Sequence, residues 1–273
     1  MTIKSILVHA DAGPGCDRRV RLAVRTAAMF DAAIVGLGAE ALRGIFCSGD
    51  PMADAAMIAM AREQVTEDLP AAETHFHRLA DGVAPAAWIS DVGYPDAMLS
   101  LHARCADLIV ASRPTKHEGA ASAARISDLV LSAGAPVLVC ADRDAEFLGD
   151  RVVVGWKDTR ESRRALADAL PFLARAKAVF VVAVSEDPDQ ADTAAALGEV
   201  AARLARHGIR AVTETVPKGH GMVVDALEDA ANRHGADLMV VGAFARSRVQ
   251  EWLLGGVTED LSAASSKFVL FSH

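Results

Sequence analysis

The feature that most constrains this chain is that its landmarks occur twice, in the same order. An apolar run, SILVHAD at 5–11, is followed by the helical stretch DRRVRLAVRTAAMF; in the middle of the chain RVVVGWKD is followed by ESRRALADALPFLARA. A second matched pair follows, CADLIVAS (105–112) and GADLMVVG (235–242), and each half closes on a short apolar run, APVLVC (135–140) and KFVLFS (267–272). A repeated order of this kind is the mark of a duplicated structural unit. The first pair of landmarks lies further apart than the later ones, so the first copy carries extra residues, placed here around Arg43 to Met57, after its second strand. The polar stretch ending at Asp150 suits a linker, which gives domains over 1–145 and 150–273.

Within each copy, apolar runs of about five to seven residues alternate with helical patterns of roughly a dozen or more, the signature of βαβ units around a parallel sheet. For the second copy this predicts strands near 151–156, 177–184, 211–216, 237–242 and 267–271. Helices are expected between them, near 159–174, 189–208, 220–234 and 246–264, the last broken at Gly255 and Gly256.

With 273 residues, 52% of them hydrophobic and 23% charged, the chain has ample material for a core, which excludes a disordered protein. A mean hydropathy of +0.22 comes from short alanine and valine runs, none long enough to span a bilayer. The opening MTIKSILVHAD has no signal-like segment, and the reading is a cytoplasmic protein with no membrane association. Cys16, Cys47, Cys105 and Cys140 are far apart, so neither a disulfide framework nor a zinc site is expected. A net charge of -8 argues against nucleic-acid binding, which needs a basic face.

The most informative segment is VVGAFARSRVQEWLLGGVTEDL at 240–261. Glycines let backbone N–H groups approach phosphate oxygens, and a following helix N-terminus adds free donors and a favourable dipole. Thr258 is placed either to cap that helix or to donate to a phosphate. Glycine spacing alone fits two readings: a phosphate cradle, or a strand-end turn at Gly242 with a helix C-cap at Gly255.

This segment resembles the nucleotide signature of the universal stress protein family, G-x2-G-x9-G-[S/T], with Gly242, Ala245, Gly255 and Gly256 at its four marked positions. The whole chain looks like the tandem type of that family. The resemblance implies two doubly wound α/β domains of five parallel strands in the order 3-2-1-4-5, similar to the adenine nucleotide alpha hydrolases. Fifth strands pair across the dimer interface in such proteins, which implies an internal pseudo-dimer here and leaves a further homodimer open. Carried over, the resemblance places Gly155, Lys157 and Val184 beside the adenosine of ATP or AMP. Gly242, Ala245, Gly255, Gly256, Val257 and Thr258 would surround ribose and phosphates, with or without Mg²⁺. Three departures stand out: Ala245 for the second glycine, Gly256 for Ser/Thr, and Lys157 where ATP-binding members often carry aspartate. If position 245 needs a positive φ, alanine there costs about 1 kcal/mol. Lys157 reaches a phosphate or lies solvated, with Asp158 beside it.

In the first copy the same passage, VASRPTKHEGAASAARISDL, lacks the glycine pair and carries Pro114. Asp11 matches the family aspartate there, but without the loop this copy is expected not to bind ATP. His75 and His77 stand two apart, on different faces of a helix, so a surface helix end is read rather than a metal pair. His220 suits a turn or cap. Arg246 and Arg248 face a phosphate, a partner or solvent; Trp252 and Leu253 are read as packing and Cys140 as a buried, inert thiol. The leading expectation is a stress or regulatory protein whose second half binds an adenine nucleotide and acts through an unidentified protein partner. The alternative is a ligand-free interaction scaffold. An enzyme is not expected: no Walker lysine, Mg²⁺-binding carboxylate pair or positioned base appears, so ATP hydrolysis would be slow and incidental.

Overall fold

The structure, a computed structural model, describes residues 2–13, 15–42, 49–82, 85–113, 124–141, 145–186, 191–218, 222–243 and 265–273. It divides into two compact units, Ile3–Ala135 and Pro136–His273, the latter joined by Met1–Thr2.

In the first unit the order is β1 (Ser5–His9), α1 (Cys16–Phe30), β2 (Ala33–Glu40), α2 (Pro51–Leu79), β3 (Ala86–Val92), α3 (Pro95–His102), β4 (Leu108–Ala111) and α4 (Ile126–Ser132). Its strands are all parallel: β1 lies between β2 and β4, and β3 lies outside β2. Central strands of parallel sheets are covered on both faces, and β1 and β4 read accordingly as unbroken apolar runs with every residue from Ile6 to Val8 and Leu108 to Ala111 buried. Helix α1 buries Cys16, Arg19, Val20, Ala23, Thr26 and Ala27 along one stripe and stops at Asp31, which takes the left-handed conformation at φ 52°. Helix α2 docks through Phe76, whose ring lies where a Cβ on Gly36 would be, 2.9 Å away. Asp50 caps α2, and Pro51 starts it without losing a hydrogen bond.

The second unit runs β5 (Val137–Val139), β6 (Arg151–Trp156), α5 (Arg160–Leu173), β7 (Ala178–Ser185), α6 (Ala191–Arg206), β8 (Ala211–Pro217), α7 (Val223–Arg233), β9 (Leu238–Gly242) and β10 (Phe268–Ser272). Strands β8, β7, β6, β9 and β10 are parallel neighbours in that order, which is the expected 3-2-1-4-5. Each falls within a residue of its predicted range. Outside β10 lies β5, antiparallel, with Val137 facing Phe271 and Val139 facing Val269. The fifth strand of the first copy thus belongs to the second unit, leaving four strands described in the first. All six residues of this pairing are fully buried. Phe147 closes the core below it, edge-on to Phe268 and Phe172 at centroid separations of 5.0 and 6.2 Å.

The two copies differ most in their second helices: α2 has 29 residues and α6 has 16. The extra length of the first copy is therefore helix, at least from Pro51 onward; residues 43–48 and the helix expected at 246–264 lie outside the described residues. No described helix is long and apolar enough to cross a membrane.

Candidate functional site

Strand β6 is the point at which the second unit's sheet reverses, because chain leaving it goes to β7 on one side and returns to β9 on the other. Parallel sheets of this kind open a crevice at the carboxyl ends of the strands there. Gly155 pairs with Val182 on β7 and with Val241 on β9, one residue short of Gly242. Lys157 follows directly after β6, and Val184 is half-buried near the end of β7. Of the residues expected to bind nucleotide, Gly155, Lys157, Val184 and Gly242 therefore stand together at the ends of three adjacent strands. Ala245, Gly255, Gly256, Val257 and Thr258 lie outside the described residues, as do His220, Arg246, Arg248, Trp252 and Leu253.

Two of the glycines answer to packing. A Cβ on Gly155 would approach Leu227 of α7 at 3.1 Å, and one on Gly242 would lie 2.5 Å from both the Glu161 carbonyl carbon and the Ser162 nitrogen. Gly242 is thus required by the backbone of α5 whether or not a ligand is present. That helix starts at Thr159, whose hydroxyl accepts from the Ser162 N–H at 3.3 Å. The exposed Lys157 is fixed at its backbone, its carbonyl accepting from the Thr159 N–H at 2.7 Å. Glu161 is buried in the same first turn. Burial works to raise its carboxyl pKa, but hydrogen bonds from its own N–H and the Thr159 hydroxyl, with the Arg160 charge, bring it below the ordinary value.

The corresponding place in the first unit is filled from within. Arg19, 3% exposed, donates from Nε to the His9 carbonyl at 2.9 Å, from Nη1 to Ser112 Oγ at 2.7 Å, and from Nη2 to Asp11. These partners sit at the carboxyl ends of β1 and β4. Oδ2 of Asp11 is buried and has no hydrogen-bond partner among the described residues. Strand register gives the equivalences: Val8 lies beside Val110 as Val154 lies beside Val240, which puts Asp11 opposite Lys157 and Ser112 opposite Gly242. On the helices, Cys16, Arg19, Val20, Ala23, Thr26 and Ala27 have the same spacing as Ser162, Ala165, Leu166, Ala169, Phe172 and Leu173. Arg19 therefore corresponds to Ala165. Sequence reading found Asp11 but missed Arg19, although Arg19 falls on the Val20–Ala23–Ala27 face of its helix. Burial among these groups also pushes the Cys16 thiol up to about 11.

Elsewhere, His75 and His77 diverge: His75 Nε2 meets Asp17 Oδ1 at 2.6 Å, while His77 lies 3.9 Å from Glu73. The His75 contact, ahead of Arg21, lowers the Asp17 carboxyl. Cys16 and Cys140 are buried and Cys105 is exposed. Among the described residues no group of three potential ligands is arranged for a metal.

The model of the Universal stress protein family matches residues 149–273. A universal stress protein from Archaeoglobus fulgidus DSM 4304 superposes with a TM-score of 0.73 at 18% identity, over 98% of this chain and 95% of its own. A functionally unknown protein from Pseudomonas aeruginosa PAO1 does so with a TM-score of 0.58 at 16% identity, over 99% of this chain and 92% of its own. At these identities the likeness is one of fold. No curated protein matches the chain.

Proposed function

Since residues 149–273 belong to the universal stress protein family, we propose that the second unit binds ATP or AMP at the ends of β6, β7 and β9, and that the first unit does not. The protein then acts by binding rather than by turnover, nucleotide occupancy changing the surface offered to a protein partner in a stress response. One observation carries this reading: the position of Arg19 is held in the second unit by Ala165, and that of Ser112 by Gly242. An alanine methyl cannot reach the strand ends as a guanidinium does. Among the described residues, the second crevice thus lacks the internal ligand that occupies the first, and the segment that resembles the family's glycine loop follows Gly242 in the sequence. Labelled ATP should bind the full chain saturably and should fail to bind a Gly255→Val, Gly256→Val variant; equal signals from both would overturn the proposal.

The scaffold reading draws on Gly242, whose lack of a side chain α5 already explains. It requires that no nucleotide accompany the protein. Mass spectrometry of small molecules released by denaturing freshly purified protein separates the two, because recovered ATP or AMP excludes a ligand-free scaffold.

A further inference from the structure

Aligned with α6 at their C-terminal ends, α2 is the longer helix, and its surplus is residues 51–63. An amphipathic helix turns its apolar side to the core and its charges to water. The surplus does the reverse. From Pro51 to Met60 every exposed residue is apolar, whereas the one charged side chain, Asp54, is half-buried on the side that Val65, Ala72 and Phe76 continue into the core. Met52 is 81% exposed and Met60 71%. The outward positions turn polar only at Arg62, Glu63 and Gln64, so the apolar face begins and ends within the surplus.

The order of side chains on this face says what it fits. Met52, Ala53, Ala59 and Met60 stand three and four residues to either side of Ala56, the spacings that share one face of a helix, and they read alike in both directions. A surface that meets its own copy across a twofold axis must be self-complementary in this way. Two such helices crossing antiparallel at Ala56 set Met60 beside Ala53 of the second copy and Met52 beside its Ala59, long side chain against short. Alanine at the crossing point lets the axes approach to about 8 Å. Because the face carries no charge, it offers nothing to a charged peptide, and a chain of net charge -8 is repelled by nucleic acid and by anionic lipid. The edge of β10 is closed to a second copy by β5.

We propose that the outward face of α2 from Met52 to Met60 is a docking surface for a second copy of this chain, the two helices crossing antiparallel about a twofold axis at Ala56. A contact of roughly two and a half turns lies at the low end of interface sizes, so the association is weak and reversible.

Disulfide trapping reads the geometry directly. In a Cys47→Ser, Cys105→Ser background, which keeps the buried Cys16 and Cys140, Ala56→Cys should give a covalent dimer under mild oxidation by diamide, because the axis sets its two copies face to face. Asp68→Cys, exposed on another side of the same helix, should not. Sedimentation velocity of the wild-type chain should show monomer giving way to dimer as its concentration rises from about 5 to 500 µM, the range of weak association. Met52→Glu, Met60→Glu, altered only at exposed side chains, should need at least tenfold more protein to dimerise. The proposal is overturned if the wild type stays monomeric throughout, if the double glutamate variant dimerises undiminished, or if Ala56→Cys and Asp68→Cys cross-link alike. A monomer that instead floats with phosphatidylcholine vesicles would also overturn it, assigning the face to lipid.

Discussion

A guanidinium buried as deeply as that of Arg19 holds its place only because a carboxylate, a carbonyl and a hydroxyl surround it. Removing one member of such a set leaves a buried charge without its counterion, which costs about 3–5 kcal/mol, whereas replacing the whole pair by apolar groups of similar volume is often neutral. Arg19→Ala should therefore lower the stability of the first unit by about that amount, read as a fall in urea midpoint. Arg19→Met combined with Asp11→Leu should recover most of the loss; a double variant as unstable as the single one would mean that the ion pair is not what the site depends on. The acid was legible in the sequence because it ends an apolar run where family members place one. The arginine was not, because arginines in helical stretches are ordinarily solvated and the stretch holds several. The available signal was its phase with Val20, Ala23 and Ala27, joined to the need of a buried Asp11 for a partner.

At the level of elements, the contact between β9 and α5 fixes the geometry of the candidate crevice. Gly242→Ala places a methyl 2.5 Å from the α5 backbone, where no side chain can swing away, and should destabilise the second unit by about 1–3 kcal/mol. The expected measurement is a lower urea midpoint with the first unit unaffected; a neutral result would show that α5 can retreat from the strand. Most elements were legible because they obey local rules: buried strands are short apolar runs, and α5 follows a threonine that caps it. Helix α2 was less so. Its first half is largely exposed and Pro70 stands inside its second half, so neither an apolar stripe nor an unbroken run announces 29 residues of helix. The loop after Gly242 was read from family resemblance, since glycine spacing alone fits a C-cap as well as a phosphate cradle.

For the molecule as a whole, strands β3-β2-β1-β4 of the first unit repeat the order β8-β7-β6-β9 of the second, while the residues at equivalent places near their carboxyl ends differ: Asp11, Arg19 and Ser112 in one, Lys157, Ala165 and Gly242 in the other. Ligand that binds only one of them should stabilise only that one, by about 2.7 kcal/mol at a hundredfold excess over Kd. Hydrogen exchange of the full chain with ATP should show added protection at the ends of β6, β7 and β9 and none at the ends of β1 and β4. Protection in both units would require Arg19 to leave its partners and would refute the asymmetry. The antiparallel strand β5 adds a constraint of a different kind. Because it is drawn from the first copy yet pairs with β10, severing the chain at the polar linker after Cys140 would strip the later fragment of its outermost strand. Residues 150–273 alone would then present β10, apolar from Phe268 to Phe271, as an open edge, the kind of surface on which isolated sheets recruit copies of themselves. The repeat that the sequence displays so plainly is accordingly not a seam along which the protein can be divided.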